Sequence, residues 1–401
     1  ELKKNQPKTT ERPWDLIAPG PLSLRKEEEM NFIMEKCELF KAISKVRGIP
    51  SRSSSLPALT HVHIMTKEDT VVITASDLEV TRRVNTKAEV FGEGSITLPA
   101  EPFFKIIKKM PDENVSFEVE ANNRVKLSCG NARFNLMGLP GEDFPAFPDT
   151  VMTEGLIIHS KTLGCMLEKT LFAASRNGGR ASLGGVFAEI SGDNGNNTLC
   201  MVATDGHRLA KAETPSKDSV PALEGGVIIP LKGGMELLRM AKEIDDDIEL
   251  KIDKNSLSSC VINETLVMRL VDAKFPDYRA VVDNMDGRAV LSDRESFKEC
   301  LERTYVMAQG HGRHVSLNLT SKDRLVIKAS NQDLGDAEDS LSVESELTEI
   351  SIGLNPAYLL EGLGVMKSKD INIMLKDPKS PVLITGKEDE GFRYVIMPMR
   401  I

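Results

Sequence analysis

The sequence predicts an α+β protein built from three similar units, because landmarks recur along the chain at domain-sized intervals. The first landmark is a strand-like apolar run that ends in a small polar turn, as in Ala-Thr-Asp-Gly-His-Arg-Leu at 203–209. Weaker copies surround Asp77 and Asn331, which lie 128 residues before and 126 residues after Asp205. Since repeats of this length correspond to whole domains, we expect three domains.

A second landmark, a strand that runs into a helix, recurs in the same register. The strand and helix patterns lie at 96–99 and 101–110, at 227–230 and 231–242, and at 350–355 and 356–369. Proline and glycine near the start of these helices fit the first turn, which tolerates both. An earlier helical pattern opens each unit, at 34–46, 160–176 and 293–303. Most of the remaining sequence alternates apolar and polar residues, which is typical of strands, so each unit combines two helices with several strands.

A third landmark, Phe-Pro, ends the first two units at Phe144 and Phe275. The predicted domains are therefore 30–153, 154–284 and 285–401. Residues 1–29 contain four prolines and an acidic run without sustained periodicity, and we expect a disordered extension or an artefact of the chosen start site.

Composition is that of a water-soluble globular protein, with 401 residues of which 40% are hydrophobic and 28% charged. No apolar run approaches the roughly 18 residues that span a bilayer, and the beginning of the chain resembles no secretory signal, so we expect a cytoplasmic protein without membrane contact. The six cysteines are scattered without metal-ligand spacing, which favours reduced, buried thiols over a zinc site or a disulfide framework. No metal or other cofactor is predicted.

Charge is distributed unevenly. The net charge is −9, yet the six helical patterns together carry +7, so the rest of the chain carries −16. This distribution lets one surface hold a polyanion while the exterior repels it. Alternatively, the lysines are present only because lysine favours helices.

Polar residues of the 203–209 stretch allow two interpretations. Asp205 can accept backbone hydrogen bonds in a tight turn, with His207 and Arg208 merely solvated. Alternatively, Asp205 and His207 form an acid–base pair of an enzyme, although no nucleophile, metal set or phosphate loop accompanies them. The glycine-rich segment 177–180 lacks the lysine of a phosphate loop, and the histidines of 309–314 lack a third metal ligand, which favours a mobile loop.

Three motifs resemble the bacterial DNA polymerase III beta subunit family of sliding clamps. They are Ala-Thr-Asp-Gly-His-Arg-Leu at 203–209, Phe-Pro-Asp-Tyr-Arg at 275–279 and Met-Pro-Met-Arg-Ile at 397–401, and the resemblance covers residues 30–401. It implies three clamp domains, each with two helices inside and two antiparallel sheets outside. Two chains would close head to tail into a homodimeric ring with six-fold pseudo-symmetry around double-stranded DNA, held without regard to base sequence.

The resemblance also implies a non-catalytic function in DNA replication. A hydrophobic pocket between the second and third domains would receive short peptides of the DNA polymerase III alpha subunit, the clamp loader, and other polymerases or repair proteins, and so confer processivity. The deeper part of the pocket would comprise Leu183, Thr204, Gly206, His207, Arg208, Leu209, Pro276, Val281, Val395 and Met397. Its entrance would comprise Arg180, Asn355, Tyr358, Pro398, Met399 and Arg400. Methionine suits such a site because its unbranched side chain repacks around different partners.

Two positions depart from the family pattern. Ala280 stands where an arginine usually precedes the pocket valine, and Lys379 corresponds to an entrance valine. Both changes bear on which partners the pocket prefers.

DNA and dimer contacts follow from the same resemblance. For DNA it implies Arg52, with Arg47 and Arg180 next, although Ser53 also fits the position of the family arginine. For the dimer it implies edge-strand pairing with Phe134 and Leu136 on one side and Val306 and Met307 on the other. Alternatively, these four residues belong to the core of their own domain.

Two hypotheses compete with the clamp. An enzyme that uses Asp205 and His207 would lose turnover when His207 is replaced by alanine. A monomeric peptide-binding scaffold would form no ring and would not be retained on DNA. The concentration of positive charge on the helices disfavours the scaffold.

Overall fold

The computed structural model describes residues 30–148, 155–176, 179–193, 196–216, 221–282, 285–308 and 314–400. Three successive units share one order of elements, which confirms the α+β class and the threefold repeat. The first unit contains β1 (Asn31–Glu35), α1 (Lys36–Val46), β2 (His61–Lys67), β3 (Thr70–Ser76), β4 (Val80–Lys87), β5 (Glu89–Gly92), β6 (Gly94–Pro99), α2 (Ala100–Lys109), β7 (Asn114–Val119), β8 (Arg124–Cys129), β9 (Ala132–Met137) and β10 (Leu139–Pro140).

The second unit contains β11 (Gly155–His159), α3 (Ser160–Leu171), β12 (Gly185–Asp193), β13 (Asn196–Thr204), β14 (Arg208–Ser216), α4 (Pro221–Glu224), β15 (Val227–Pro230), α5 (Leu231–Glu243), β16 (Asp247–Ile252), β17 (Ser256–Val261), β18 (Glu264–Arg269) and α6 (Arg279–Val282). The third contains β19 (Arg288–Asp293), α7 (Arg294–Tyr305), β20 (Val315–Ser321), β21 (Arg324–Asn331), β22 (Gly335–Ser342), β23 (Glu344–Ser345), β24 (Ile350–Leu354), α8 (Pro356–Val365), β25 (Asp370–Leu375), β26 (Val382–Gly386) and β27 (Phe392–Ile396). Short 3-10 helices occupy 57–60, 141–143 and 181–183.

Two predicted helices were too long. The pattern over 160–176 ends as a helix at Leu171, and the pattern over 356–369 ends at Val365. In the second case Met366 leaves the helix with extended dihedral angles, and β25 begins four residues later. Periodicity continued past both ends because apolar residues there still pack on the core. Within the described residues, no helix is both long and apolar enough to cross a membrane.

The strands form four antiparallel sheets, two of which run through a domain junction. Sheet A has the order β5-β1-β7-β8-β9, and sheet D has the order β22-β21-β20-β24. Sheet B joins the first two domains in the order β10-β6-β2-β3-β4-β18-β17-β16-β11, because β4 pairs with β18. Sheet C joins the last two domains in the order β15-β12-β13-β14-β27-β26-β25-β19-β23, because β14 pairs with β27. The two junctions therefore use equivalent strands.

Sheets A and D end in strands that are left unpaired in the described part of the chain. Within the repeat, β22 of sheet D is equivalent to β4 and β14, and β9 of sheet A is equivalent to β18 and β27. The strands that pair across the internal domain junctions therefore have unpaired equivalents, β9 in the first domain and β22 in the third domain. Such edges offer unpaired backbone groups to another chain.

Each linker between domains packs its aromatic side chains on the outer face of a sheet. Phe144 stacks on His63 of sheet B with 5.1 Å between ring centroids, and Phe275 stacks on Phe187 of sheet C at 4.8 Å. His63 and Phe187 occupy the same position of the repeat, in β2 and β12. On sheet C this packing creates a second apolar cluster beside the main core. The Phe-Pro landmark therefore marks a linker that is fixed to its sheet.

A fully buried arginine crosses the junction between the first and second domains. Arg82 of β4 donates hydrogen bonds from Nη1 to the Lys45 carbonyl oxygen at 2.9 Å and from Nη2 to Glu264 Oε2 at 2.6 Å. Glu243 and Glu236 of α5 lie 3.2 and 3.7 Å from the same guanidinium. A buried charge is tolerated only when it is paired in this way, so the network fixes how the two domains meet.

The junction between the second and third domains contains a buried ion pair of its own. Lys169 Nζ of α3 lies 2.8 Å from Asp389 Oδ1, and Asp389 Oδ2 accepts hydrogen bonds from the backbone and hydroxyl of Ser368 at 2.9 and 2.8 Å. Burial would raise the pKa of Asp389, but the hydrogen bonds from Lys169 and Ser368 lower it below its ordinary value.

This lowered pKa predicts a pH-dependent stability. Because the folded-state pKa lies below the unfolded one, the ion pair stabilises the protein above about pH 4 and loses its effect as pH falls through the folded-state pKa. We expect Lys169→Met to cost about 2 kcal/mol at pH 7 and progressively less in acid, as measured by urea unfolding at several pH values. Lys161→Met, which removes an exposed partner of Asp245, is the control. A loss for Lys169→Met that is the same at every pH would contradict the assignment.

Candidate functional site

The same turn occurs at all three copies of the polar motif. Asp205 Oδ1 accepts hydrogen bonds from the backbone N–H groups of His207 and Arg208 at 2.9 and 3.1 Å. Asp77 and Asn331 accept from the residues two and three positions further on in the same way. The repeat therefore reflects a side chain that caps a turn, which confirms that Asp205 accepts backbone hydrogen bonds there. The expectation that Arg208 is merely solvated is wrong, because its side chain is buried and hydrogen-bonded to Asp205 and Glu361.

The turn of the second domain has a glycine at its tip. Thr204 Oγ1 donates to the Arg208 carbonyl oxygen at 2.5 Å and accepts from the N–H of Gly206 at 3.0 Å. Gly206 has a φ of +91°, which glycine adopts without strain, and a Cβ there would have no neighbour within 4 Å. The first domain has Leu78 at this place, also with positive φ. A glycine thus leaves an uncovered surface beside His207.

The end of the chain crosses this turn and joins it to the third domain. The N–H of Met397 donates to the His207 carbonyl oxygen at 2.9 Å, and the N–H of Met399 donates to the Gly353 carbonyl oxygen at 2.8 Å. Asn355, two residues after Gly353, caps α8 by accepting from the N–H of Ala357 at 3.0 Å. These hydrogen bonds bring His207 and Met397 of the predicted deep part close to Met399 and Asn355 of the predicted entrance, along one seam between β14 and α8.

Apolar residues form the floor of the site. Leu209, Val395 and Val281 belong to the cluster between sheet C and the linker, the first two as buried members. Leu183 is buried as well, in a 3-10 helix that precedes β12. Of the other predicted residues, Tyr358, Pro398 and Met399 are half-buried, whereas Arg180, Pro276, Met397 and Arg400 are exposed. A buried apolar floor beside partly exposed methionines has the composition that suits an apolar peptide anchor.

Arg208 is the charged residue at the centre of the site, and it is largely buried. Its Nε donates to Asp205 Oδ2 at 3.1 Å, its Nη2 donates to the Phe172 carbonyl oxygen at 2.7 Å, and its Nη1 donates to Glu361 Oε2. The guanidinium carbon lies 4.3 Å from the centroid of the Tyr358 ring. Arg208 thus connects β14 and α3 of the second domain to α8 of the third.

Sequence reasoning missed two of these contacts, Phe172 and Glu361. Phe172 follows α3 and contributes its carbonyl oxygen, which no side-chain pattern indicates. Glu361 could have been found, because it lies three positions after Tyr358 and residues at that spacing share a helix face.

The junction between the first two domains has the same backbone frame without the apolar floor. There the N–H of Arg269 donates to the Glu79 carbonyl oxygen at 2.9 Å, and the N–H of Val271 donates to the Ile228 carbonyl oxygen at 3.0 Å. However, Thr81 stands in place of Leu209, and Arg269 stands in place of Met397. Side chains, not backbone geometry, therefore distinguish the peptide site from its counterpart.

The three predicted DNA-binding arginines lie in different parts of the chain and differ in how exposed their charges are. Arg47 ends α1, where it lies 3.2 Å from Glu101 and 3.9 Å from the centroid of the Phe104 ring. Arg52 is exposed in the loop after α1, and Arg180 is exposed directly before the 3-10 helix at 181–183. Arg47 is thus partly neutralised, whereas Arg52 has an exposed side chain that a phosphate could reach.

The predicted dimer residues lie in the first and third domains, the two domains that end in an unpaired edge strand. Phe134 and Leu136 are half-buried in β9, the edge strand of sheet A, and pack partly on the core of their own domain. Val306 follows α7 and is 58% exposed, so it is not a core residue. Met307 is half-buried next to it.

Both departures from the family pattern are exposed. Ala280 lies in α6, and its neighbour Arg279 instead pairs with the buried Glu189, to which Tyr278 also donates a hydrogen bond. Lys379 lies in the turn before β26, in which its N–H donates to Asp377 Oδ1 at 2.8 Å. The position of the family's entrance valine therefore carries an exposed positive charge in this chain.

Known proteins match this chain along nearly its whole described length. Models of the N-terminal, central and C-terminal domains of the DNA polymerase III beta subunit match residues 30–148, 157–277 and 284–400. The beta sliding clamp of Pseudomonas aeruginosa is 32% identical and aligns with 93% of this chain and 100% of its own length.

Solved structures agree. A Caulobacter crescentus beta sliding clamp with bound polyethylene glycol has a TM-score of 0.87 at 28% identity, covering 94% of this chain and 100% of that one. A Bartonella birtlesii sliding clamp bound to griselimycin has a TM-score of 0.87 at 28% identity, covering 93% and 100%. The resemblance inferred from the sequence is confirmed, and the chain belongs to the DNA polymerase III beta subunit family of sliding clamps.

Proposed function

We propose that this protein is a DNA sliding clamp that encircles double-stranded DNA and tethers DNA-processing proteins to it. Two chains would close head to tail into a ring, and the pocket between the second and third domains would hold short peptides of its partners. The protein would act without catalysis, as a processivity factor in replication.

The observation that supports the ring most strongly is the topology of the sheets. Sheets B and C each contain nine strands and join domains through the pairs β4–β18 and β14–β27. Sheet A with five strands and sheet D with four end in the equivalent strands β9 and β22. Pairing β22 of one chain with β9 of the next would repeat the internal junction and build another nine-stranded sheet. A head-to-tail interface that closes generates a ring.

Charges on the free edges favour this pairing. β22 carries Asp336, together with Glu338 and Asp339, which already pair with Lys328 and Arg303, whereas β9 carries Arg133. Opposite charges on facing strands add a modest stabilisation and select the register. With Phe134 and Leu136 on β9 and Val306 and Met307 beside β22, the interface would combine strand pairing with an apolar contact.

DNA would be held by the helices, because their patterns together carry a charge of +7 while the rest of the chain carries −16. Lys108 and Lys109 at the end of α2 are exposed and make no ion pair with another described residue. Together with Arg52, Arg47 and Arg180, they would attract phosphates without reading bases, which lets a ring slide. Such binding weakens steeply as salt rises.

The pocket would bind an apolar peptide segment from each partner in turn. The DNA polymerase III alpha subunit, the clamp loader, and other polymerases or repair proteins are the proposed partners. Exposed Met397 and half-buried Met399 give the pocket adaptable walls, which suits a site that several sequences share.

Retention on DNA tests the proposal directly. The protein is loaded onto nicked circular duplex DNA by a clamp loader with ATP, the complex is isolated, and the circle is then linearised. We expect the protein to remain on circles at moderate salt and to leave after cutting, because the link is topological. Equal retention on circular and linear DNA would show ordinary binding by contact, contradict the topological link and reopen the enzyme and scaffold hypotheses.

A substitution at the proposed interface sharpens this test. We expect Val306→Asp to convert the dimer to a monomer and to abolish retention on circles, because it places a charge in an apolar contact without a partner. Ile262→Asp is the control, since Ile262 is 85% exposed in the turn between β17 and β18. Sedimentation measures the oligomeric state of both variants. A dimeric, retained Val306→Asp protein would refute this interface.

A further inference from the structure

We propose that Glu361 is a positioning residue of the peptide pocket: it holds the Arg208 guanidinium against Tyr358 and thereby prevents a buried cation from attracting acidic peptides. This inference rests on the proposed function, because it assigns a partner preference to the same pocket. Glu361 lies outside the residues that the family resemblance implies for the site, and its contacts alone suggest its role.

Arg208 has its charged partners on two sides. Asp205 Oδ2 accepts from Nε at 3.1 Å on the side of the turn, and Glu361 Oε2 accepts from Nη1 on the side of the third domain. The Phe172 carbonyl oxygen accepts from Nη2 at 2.7 Å. All three guanidinium nitrogens are thus occupied, and the flat face lies over Tyr358. Such multiple charge-assisted bonds fix both the place and the plane of an arginine.

Asp205 alone would not hold this cation equally well. Its Oδ1 already accepts two backbone hydrogen bonds in the turn, so only Oδ2 serves Arg208. Without Glu361, Nη1 would lose its described acceptor while the charge stayed largely buried. A buried donor that lacks a partner seeks another, and a carboxylate on a bound peptide would supply it.

The helix that carries Glu361 is itself held firmly. Tyr394 OH donates to the Tyr358 carbonyl oxygen at 2.8 Å, and the Tyr394 ring packs so closely on Gly362 that a Cβ at that position would clash with it. Tyr358 and Glu361 are therefore presented on one face of a fixed helix. The Glu361 side chain is 42% exposed, so it can be replaced without leaving a cavity in the core.

Because Glu361 neutralises the Arg208 cation, the charges around the pocket decide which peptides it prefers. Arg180 and Arg400, which the family resemblance implies for the entrance, are exposed and basic. Glu361 is the carboxylate that approaches Arg208 from the third domain, so its loss would remove a negative charge beside a largely buried cation. The proposed result is a pocket that selects apolar anchors and tolerates, but does not require, an acidic neighbour.

Peptide selectivity tests the inference. Two fluorescein-labelled synthetic peptides are compared by anisotropy: one has two apolar anchor residues preceded by glutamine, and its twin has glutamate in place of the glutamine. We expect Glu361→Gln to weaken the glutamine peptide by about fivefold and to shift the ratio of affinities toward the glutamate peptide by about threefold or more, since the released guanidinium binds the added carboxylate. A purely structural loss would weaken both peptides equally.

A double-mutant cycle shows whether Glu361 acts through Arg208. In an Arg208→Met background, Glu361→Gln should leave the affinity ratio unchanged, because the cation is gone. Glu295→Gln is the matched control. Glu295 lies in α7 of the same domain, away from the helix α8 that carries Glu361; it is 56% exposed and pairs with its neighbour Arg294. It should change neither affinity.

The outcomes separate the two proposals. If the unmodified protein binds neither peptide, the proposed pocket function fails and takes this inference with it. If the unmodified protein binds but Glu361→Gln leaves the ratio unchanged, or shifts it equally in the Arg208→Met background, the positioning role of Glu361 is overturned while the pocket function stands.

Discussion

Replacement of Arg82 by alanine is expected to lower the free energy of unfolding by about 3–5 kcal/mol, because it removes the fully buried cation between two buried carboxylates, whose remaining cations Lys45 and Arg239 are partly exposed. Glu264 and Glu236 are both buried, and burial raises the pKa of Glu236. Neither carboxylate can turn into water without opening the junction between β4 and α5. The only tryptophan, Trp14, lies outside the described residues, so urea unfolding is best followed by circular dichroism.

Two further variants identify the cause of that loss. Arg47→Ala, which breaks an exposed ion pair with Glu101 in the same domain, should cost less than about 1 kcal/mol. The double variant Arg82→Met with Glu264→Met should recover part of the stability, because apolar side chains of similar size replace a buried pair at little cost. An Arg82→Ala protein as stable as Arg47→Ala would contradict a structural role for the network.

Replacement of Met397 by aspartate is expected to weaken peptide binding by about 100-fold without lowering the melting temperature. The side chain is 39% exposed at the seam between β14 and α8, so the folded protein tolerates a charge there. A bound peptide, however, would have to cover that carboxylate with apolar groups, and central pocket residues commonly contribute about 2–4 kcal/mol to binding.

The control for the pocket is a methionine with similar exposure elsewhere. Met235 of α5 is 46% exposed, and Met235→Asp should leave peptide affinity within a factor of about two. Anisotropy titration with the same labelled peptide measures both variants. A loss of less than about threefold for Met397→Asp would place the peptide elsewhere on the surface.

Sequence patterns predicted the structural features that depend on residues close together in the chain. The spacing of Asp77, Asp205 and Asn331 revealed the repeat because each side chain caps its own turn two and three residues further on. Strands that run into helices were recognisable because proline and glycine mark the helix starts.

Contacts between distant residues could not be predicted in this way. Arg82 meets Glu264 across 182 positions of sequence, and Arg208 meets Glu361 across 153. Nothing in the local sequence distinguishes the fully buried Arg82 from Arg83, the half-buried arginine that follows it. The linker that covers sheet C depends on the same kind of contact, since Phe275 needs Phe187 in place before it can stack.

Continuous sheets give the three-domain arc a particular mechanical character. Because β4 pairs with β18 and β14 with β27, neighbouring domains cannot swing about a loop; bending must spread as elastic twist over nine strands. Each internal joint is further stiffened by its linker and its buried ions. In the proposed ring, a joint between β22 and β9 has no covalent linker. It is therefore easier to deform than the two internal junctions of each chain. A force that strains the ring would therefore separate it at that joint. When the force is removed, the elastic strain stored in the sheets of each chain would bring the two edge strands together again.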